Sequence, residues 1–186
     1  GKEGYNLVKN ENVKIFLDLK LYDIPNTIKK AVEALSMLEP YFLTIHISGG
    51  DDMLKAANLS KRNTKILGVS ILTSIKSDTA KKFYFNSDIK NIVSNFSTYA
   101  VKNNLDGIIC SPNEIKQIKK ITKNKLLIIT PGIRPLGFKV PNDDQARTMT
   151  PKEAVEIGAD FLVIGRPITQ SSNPLQTLKA INFSLE

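Results

Sequence analysis

A short strand-like run near the N-terminus carries two opposite charges at a spacing that suits proton transfer. In residues 15–21, alternation along a strand places Asp18 and Lys20 on one face and Leu17 and Leu19 on the other. A lysine ammonium can stabilise developing negative charge and then deliver a proton. From these two charges alone, an ordinary ion pair at a strand end remains the alternative interpretation.

The arginines form a second set of candidate residues. Arginine supplies only four of the 26 basic residues, and three of the four lie in the final third of the chain. Arg134 and Arg166 each follow a strand-like run and stand beside glycine and proline. A guanidinium binds phosphate oxygens bidentately, and glycine lets the backbone approach closely. These segments predict anion binding, with surface arginines as the alternative.

Six short apolar runs predict the strands that would position these residues. They occupy residues 15–19, 42–47, 66–72, 107–110, 126–130 and 161–164 and are typical of buried parallel strands. Apolar residues at helical spacing lie between them. Three helix starts combine a side-chain cap, a proline and a Glu or Gln at the third helical position, and they begin at Ser111, Thr150 and Asn173.

This alternation of strands and helices predicts an α/β fold, either a doubly wound sheet or a (β/α)8 TIM barrel. No GxGxxG turn follows a predicted strand, which favours the barrel. In a barrel, Asp18 and Lys20 would point inward at the C-terminal rim, where barrel enzymes carry their active sites. We therefore expect residues 1–186 to form a single barrel domain, with one long loop over residues 135–148.

Composition narrows the possible environments and partners. No stretch approaches the roughly 20 apolar residues of a membrane span, so we expect no membrane partner. The net charge of +8 could attract nucleic acid, but the lysines are scattered and no recognised motif accompanies them, so we expect no nucleic-acid partner. The only cysteine, Cys110, has no disulfide or CxxC partner, which indicates a buried structural residue in a reducing, cytoplasmic location.

The longer string around the charged pair resembles the signature of the orotidine 5′-monophosphate decarboxylase family. The matching residues are Asp18, Lys20, Asp23, Ile24, Pro25, Asn26 and Thr27. The resemblance continues through residues 46–50, 72–74, 130–135, 144–145 and 164–167, in the family's order, and covers essentially the whole chain. It implies a barrel enzyme that decarboxylates orotidine 5′-monophosphate to UMP in de novo pyrimidine biosynthesis, with neither metal nor cofactor.

The resemblance also implies catalytic roles. Lys20 is expected to protonate C6 of the pyrimidine, while the charge of Asp18 disfavours the bound carboxylate more than the departing CO₂. Lys2 matches the family's lysine on the preceding strand, so Lys2, Asp18, Lys20 and Asp23 would form an alternating charge network. Because the family's second aspartate and its threonine come from the partner subunit, Asp23 and Thr27 are expected to contact ribose hydroxyls across a homodimer interface.

Substrate-binding roles are implied for residues that follow later strands. Thr73 is expected against the pyrimidine, and Gly165 and Arg166 are expected to hold the phosphate. Arg134 matches a binding position of the family, and Gln145 would reach the phosphate from a closing lid. His46, the only histidine, is expected to be a hydrogen-bonded part of the barrel wall rather than a base.

The resemblance further predicts that strand 1 and part of strand 2 of the barrel are missing from this chain, which begins just before Lys2 without an initiator methionine. Because an opened barrel exposes two unpaired edges, residues 1–186 alone are expected to be neither stably folded nor active. Two alternative functions stay open. One is a Mg²⁺-dependent sugar-phosphate decarboxylase or aldolase of the same superfamily, and the other is a catalytically inactive phosphate-binding barrel fragment.

Overall fold

The strands form one parallel sheet in the order of the chain. A computed structural model describes residues 1–84, 87–136, 138 and 148–186. The strands are β1 (Phe16–Leu21), β2 (Phe42–His46), β3 (Lys65–Val69), β4 (Gly107–Ile109), β5 (Leu127–Thr130) and β6 (Phe161–Leu162). Each neighbouring pair is parallel. The predicted α/β fold and its strands are confirmed, although β3 and β6 end earlier than predicted.

Helices connect successive strands and cover the outer face of the sheet. They are α1 (Lys2–Lys9), α2 (Pro25–Ser36), α3 (Gly50–Ser60), α4 (Ser77–Phe83), α5 (Ile89–Lys102), α6 (Ile115–Thr122), α7 (Pro151–Glu156), α8 (Arg166–Thr169) and α9 (Pro174–Phe183). Short 3₁₀ helices at Ile47–Gly49 and Pro112–Glu114 lead into α3 and α6. Crossover connections of this kind keep all strands parallel and place their C-terminal ends at one edge.

The three predicted helix starts are confirmed. Thr150 Oγ1 accepts a hydrogen bond from the Glu153 amide, while Glu153 Oε2 accepts one from the Thr150 amide at 3.0 Å. The side chain of Asn173 accepts from the amide of Gln176 at 3.1 Å, and the Ser111 amide donates to Glu114. These contacts satisfy amides that the first turn of a helix leaves unpaired.

The core has two layers, one on each face of the sheet. Alternate residues such as Leu43, Ile45 and Ile128 face the helices and are fully buried. The intervening residues Phe42 and Ile129 face the other way and form a second buried cluster with Leu67 and neighbouring apolar side chains. Both faces are therefore apolar, as expected for a sheet that curls around its own interior.

Aromatic contacts demonstrate the curl. Four strand-to-strand steps separate β2 from β6, which in a flat sheet would place them about 19 Å apart at the usual spacing. The ring centroids of Phe42 and Phe161 instead lie 4.9 Å apart. The six strands thus form a curled half-barrel, with β1 and β6 as the edges of the sheet among the described residues.

The first residues form a helix where a strand was predicted. Lys2 is the first residue of α1, and this helix is anchored to the segment after α2. The Tyr5 hydroxyl donates to the Leu38 carbonyl at 3.0 Å, and Lys9 Nζ lies 2.8 Å from Glu39. The prediction that Lys2 lies on a barrel strand is therefore wrong, because its backbone is already in the helix that precedes β1.

Candidate active site

Asp18 and Lys20 form an ion pair on β1. Lys20 Nζ lies 2.6 Å from Asp18 Oδ2. The side chain of Asp18 is 45% exposed and that of Lys20 is 39% exposed, so the pair is open to a ligand. The two predicted charges therefore meet, but not through regular alternation, because the strand is irregular between Leu17 and Leu21.

The backbone of β1 bulges at this pair. The flanking residues are paired as Leu17–Leu43 and Leu21–Ile45, and the register shifts between these two pairs. Between them, the three residues 18–20 of β1 lie opposite the single residue Thr44 of β2. Lys20 has φ = 50°, in the left-handed region, whereas the other non-glycine residues with positive φ in the described part of the chain lie outside the strands. Regular alternation did not predict this bulge.

Energetics indicate that stability does not explain the arrangement. A left-handed conformation costs a non-glycine residue about 1–2 kcal/mol. A solvent-exposed ion pair such as Asp18–Lys20 contributes only about 0–1 kcal/mol. The free-energy cost of the left-handed conformation at Lys20 therefore equals or exceeds the stabilisation by the ion pair. Strained backbone of this kind concentrates at functional sites.

Thr44 contacts both residues of the pair. Its hydroxyl accepts a hydrogen bond from the Lys20 amide at 2.8 Å and lies 3.0 Å from Asp18 Oδ1, to which it donates. Thr44 is fully buried. The sequence gives no reason to assign Thr44 to the site, because its contacts depend on the bulge.

His46 lies next to the charged pair, at the end of β2. Its ring packs edge-on against Tyr22, with centroids 5.7 Å apart. Burial lowers the pKa of His46, the Lys20 ammonium lowers it further, and the Asp18 carboxylate opposes both effects. A neutral imidazole is thereby favoured near neutral pH, as expected for a wall residue.

Three predicted binding residues follow β3 and β6, at the same edge of the sheet as Lys20. Thr73 lies in the segment after β3 and is partly buried. Gly165 precedes α8, and Arg166 is the first residue of that helix. A side-chain carbon at Gly165 would meet no described atom within 4 Å, so the space beside its backbone is open.

Arg134 follows β5 at this edge and donates hydrogen bonds to two backbone carbonyls. Its amide donates to the Met149 carbonyl, and its Nη1 donates to the Ile133 carbonyl, both at 2.9 Å. Ile133 and Met149 form an isolated parallel bridge. The contacts tie the start of the long loop to the segment before α7 and leave Arg134 partly buried.

Asp23 and Thr27 lie on the surface just after β1. Asp23 Oδ1 accepts a hydrogen bond from the Ile24 amide at 2.7 Å. Both residues are exposed. Of the predicted charge network, the structure brings together Asp18 and Lys20.

Two predicted site residues lie outside what the structure describes. The backbone of Lys2 is in α1, but its side chain is not among those described. Gln145, in the predicted lid, also lies outside the described residues. Their roles remain predictions.

Within the described residues, no group of three or more His, Cys, Asp or Glu side chains is placed to hold a metal ion. None of the described helices is long and apolar enough to cross a membrane. Cys110 is buried, as predicted.

Comparison with known proteins identifies the family. The model of the orotidine 5′-phosphate decarboxylase / HUMPS family matches residues 1–181. The chain belongs to this family. It is 44% identical to orotidine 5′-phosphate decarboxylase of Wolbachia pipientis over 187 aligned residues, covering 100% of this chain and 81% of that protein. It is 45% identical to the decarboxylase of Wigglesworthia glossinidia brevipalpis, covering 95% of this chain and 77% of the relative.

Solved structures of the family share the fold. The crystal structure of orotidine 5′-phosphate decarboxylase from Lactobacillus acidophilus superposes with a TM-score of 0.86 at 33% identity, covering 100% of this chain and 81% of that one. The decarboxylase from Pyrococcus horikoshii gives a TM-score of 0.69 at 25% identity. The half-barrel of this chain therefore corresponds to the greater part of the fold of these family members.

Proposed function

We propose that this protein decarboxylates orotidine 5′-monophosphate to UMP in de novo pyrimidine biosynthesis, without a cofactor or metal. The observation that carries the proposal is the open Asp18–Lys20 pair on a strained strand, in a chain about 44% identical over its whole length to a relative of that name. The matching family model is named for both orotidine 5′-phosphate decarboxylase and HUMPS, so the model by itself does not distinguish the two. The names of the relatives favour the decarboxylase activity.

The charged pair supplies the chemistry. As the bond from C6 to the carboxylate breaks, its electron pair stays on C6 and CO₂ leaves. The Lys20 ammonium stabilises that charge and then transfers a proton from Nζ to C6. Asp18 faces the carboxylate and disfavours it more than neutral CO₂, which lowers the barrier if the rest of the substrate holds the ring in place.

Binding groups at the same edge hold the substrate. Arg166 grips the phosphate, with Gly165 leaving room for its oxygens, and Thr73 contacts the pyrimidine. Arg134 contributes to binding from the start of the long loop, and Gln145 reaches the phosphate when that loop closes as a lid. The placement of Thr73, Arg134 and Arg166 after the ends of parallel strands supports these roles.

The complete site belongs to a homodimer. Asp23 and Thr27 are exposed beside β1 and contact the ribose hydroxyls bound by the partner subunit. Asp23 then completes the charge network around the neighbouring Lys20, to which Lys2 also contributes. The exposure of Asp23 and Thr27 makes both side chains accessible to a second subunit.

Further strands complete the barrel. The free edges of β1 and β6 and the apolar inner face would be closed by two additional strands to give a (β/α)8 TIM barrel, in which residues 1–186 form part of a single domain. The site following β5 and β6 then corresponds to strands seven and eight, where such barrels bind phosphate. We place the protein in the cytoplasm, where one cysteine stays reduced.

The proposal is tested by following the ultraviolet absorbance of orotidine 5′-monophosphate with the purified full-length protein. We expect the substrate to be converted to UMP at the same rate with and without EDTA. A Mg²⁺-dependent reaction on a sugar phosphate would instead favour the alternative enzyme, and phosphate-ligand binding without turnover would favour an inactive module.

A further inference from the structure

We infer that Thr44 is the positioning residue of the charged pair, through which β2 sets the geometry of both Asp18 and Lys20. This inference rests on the proposed decarboxylase function and adds to it a residue whose role is to orient the reacting groups. The observation behind it is the unequal pairing of β1 and β2, in which residues 18–20 lie opposite Thr44 alone.

The first contact holds the backbone of Lys20. In a regular parallel ladder a strand amide donates to a carbonyl of the neighbouring strand. At the bulge the Lys20 amide donates to the Thr44 hydroxyl instead, at 2.8 Å. That contact satisfies the amide while Lys20 keeps φ = 50°, a conformation that persists only when its surroundings impose it.

The second contact orients the carboxylate. The Thr44 oxygen accepts from Lys20, and its single proton has two acceptors within reach, of which Asp18 Oδ1 at 3.0 Å is nearer than the Leu17 carbonyl at 3.5 Å. The other oxygen of Asp18, Oδ2, binds Lys20 Nζ at 2.6 Å. Thr44, Asp18 and Lys20 thus form a closed ring of hydrogen bonds, with one buried hydroxyl joining the backbone of the acid to the side chain of its partner.

Burial makes Thr44 a rigid support for this ring. Its exposed fraction is 0%, whereas the side chains of Asp18 and Lys20 remain open to a ligand. A β-branched residue within a strand also has few rotamers, so the hydroxyl is fixed in direction. Loss of the hydroxyl would leave the charges in place but free their geometry, and small displacements of reacting groups can cost about 100-fold in rate.

The test compares Thr44→Val, which keeps the shape, with Thr44→Ser, which keeps the hydroxyl. In the full-length protein we expect Thr44→Val to lower kcat for orotidine 5′-monophosphate by about 10- to 100-fold with KM changed less than about threefold, because binding groups elsewhere are untouched. Thr44→Ser is expected to restore kcat to within about threefold of wild type.

Thr122→Val is the matched control. Thr122 is also buried and its hydroxyl also donates to a backbone carbonyl, that of Ile118, but it lies on α6 away from the pair. We expect its kcat to equal that of wild type. Thermal unfolding of each variant establishes that it is folded. If Thr44→Val does not fold, Thr44→Cys replaces it, because a thiol is a weaker hydrogen-bonding group than a hydroxyl. The kcat of Thr44→Cys is expected to be about tenfold below that of wild type.

The outcomes separate the inference from the function on which it rests. A folded Thr44→Val or Thr44→Cys protein with the kcat of wild type would overturn the role of Thr44 while leaving the decarboxylase proposal intact. A serine variant as slow as the valine variant would also overturn it, since the hydroxyl would then not be the active feature. Wild-type protein that fails to form UMP would overturn the proposed function and the inference together.

Discussion

Arg166 occupies a position where one side chain can decide whether a phosphorylated substrate reacts. It begins α8 directly after the open space at Gly165. We predict that Arg166→Ala lowers kcat/KM for orotidine 5′-monophosphate by about 10- to 100-fold, because a charge-assisted hydrogen bond is worth about 1.5–3 kcal/mol. The reaction of orotidine, which lacks the phosphate, is expected to be equally slow in both proteins.

Steady-state kinetics on both substrates check this prediction. Arg62→Ala is the control, because Arg62 is exposed in the loop before β3. It therefore lies toward the N-terminal ends of the strands, whereas the candidate site lies at their C-terminal ends. An Arg166→Ala protein that processes the phosphorylated substrate at the wild-type rate would remove Arg166 from the phosphate site.

At this scale the sequence predicts residue type and face but not detailed geometry. The two charges that the sequence paired, Asp18 and Lys20, do meet, although the strand between Leu17 and Leu21 is irregular and does not alternate as an ideal strand would. Alternation could not predict the contacts of Thr44, because they depend on three residues of β1 facing one residue of β2. A bulge is a property of two paired strands, whereas the alternation of side chains is a pattern within one strand.

Two aspartates make the same kind of contact between neighbouring strands. Asp106, just before β4, accepts a hydrogen bond from the Ile66 amide of β3 at 2.7 Å and pairs with Lys61. Asp160, before β6, accepts from the Ile128 amide of β5 at 2.8 Å in the same way. Each aspartate satisfies an amide at the N-terminal end of the neighbouring strand.

We predict that Asp106→Ala lowers the free energy of unfolding by about 1–3 kcal/mol, because it leaves a partly buried amide without its acceptor. Asp106→Asn retains an acceptor oxygen and is expected to cost less. Urea unfolding of the full-length protein measures both effects. Glu156→Ala, which removes an exposed carboxylate from α7, should change stability by less than about 0.5 kcal/mol. Equal stabilities for Asp106→Ala and Glu156→Ala would contradict the proposed role of Asp106.

Element boundaries were predictable where local chemistry fixes them. The starts at Thr150 and Asn173 follow from side chains that cap their own helix, so no distant contact is needed. The N-terminal segment was not predictable in this way. Lys2 was assigned to a strand by resemblance, but α1 is anchored by contacts from Tyr5 and Lys9 to residues more than 25 positions away.

At the scale of the whole molecule, the predicted homodimer makes each site from two chains. We predict that mixing inactive Lys20→Ala and Asp23→Ala proteins restores activity. A hybrid dimer contains one site with both lesions and one site with neither, so random exchange should recover about a quarter of wild-type activity. The measurement is UMP formation after subunits have been exchanged by mild denaturation and dilution.

Lack of recovery from subunits that have demonstrably exchanged would indicate that each site is built from one chain. Lys20→Ala protein mixed with wild type provides the control for damage during denaturation and dilution, because half of the sites remain complete in that mixture whether or not the subunits exchange. The strand pattern alone does not predict a dimer, because it reports which faces are apolar and not what covers them.

We propose that the strained charged pair on β1 performs the decarboxylation. The most direct measurement is the rate of UMP formation from orotidine 5′-monophosphate by wild-type and Lys20→Ala proteins, with thermal unfolding to establish that both are folded. We predict a rate at least about 100-fold lower for Lys20→Ala, because alanine supplies neither the proton nor the stabilising charge. A folded Lys20→Ala protein that retains activity within about tenfold of wild type, a barrier change of only about 1.4 kcal/mol, would contradict the claim.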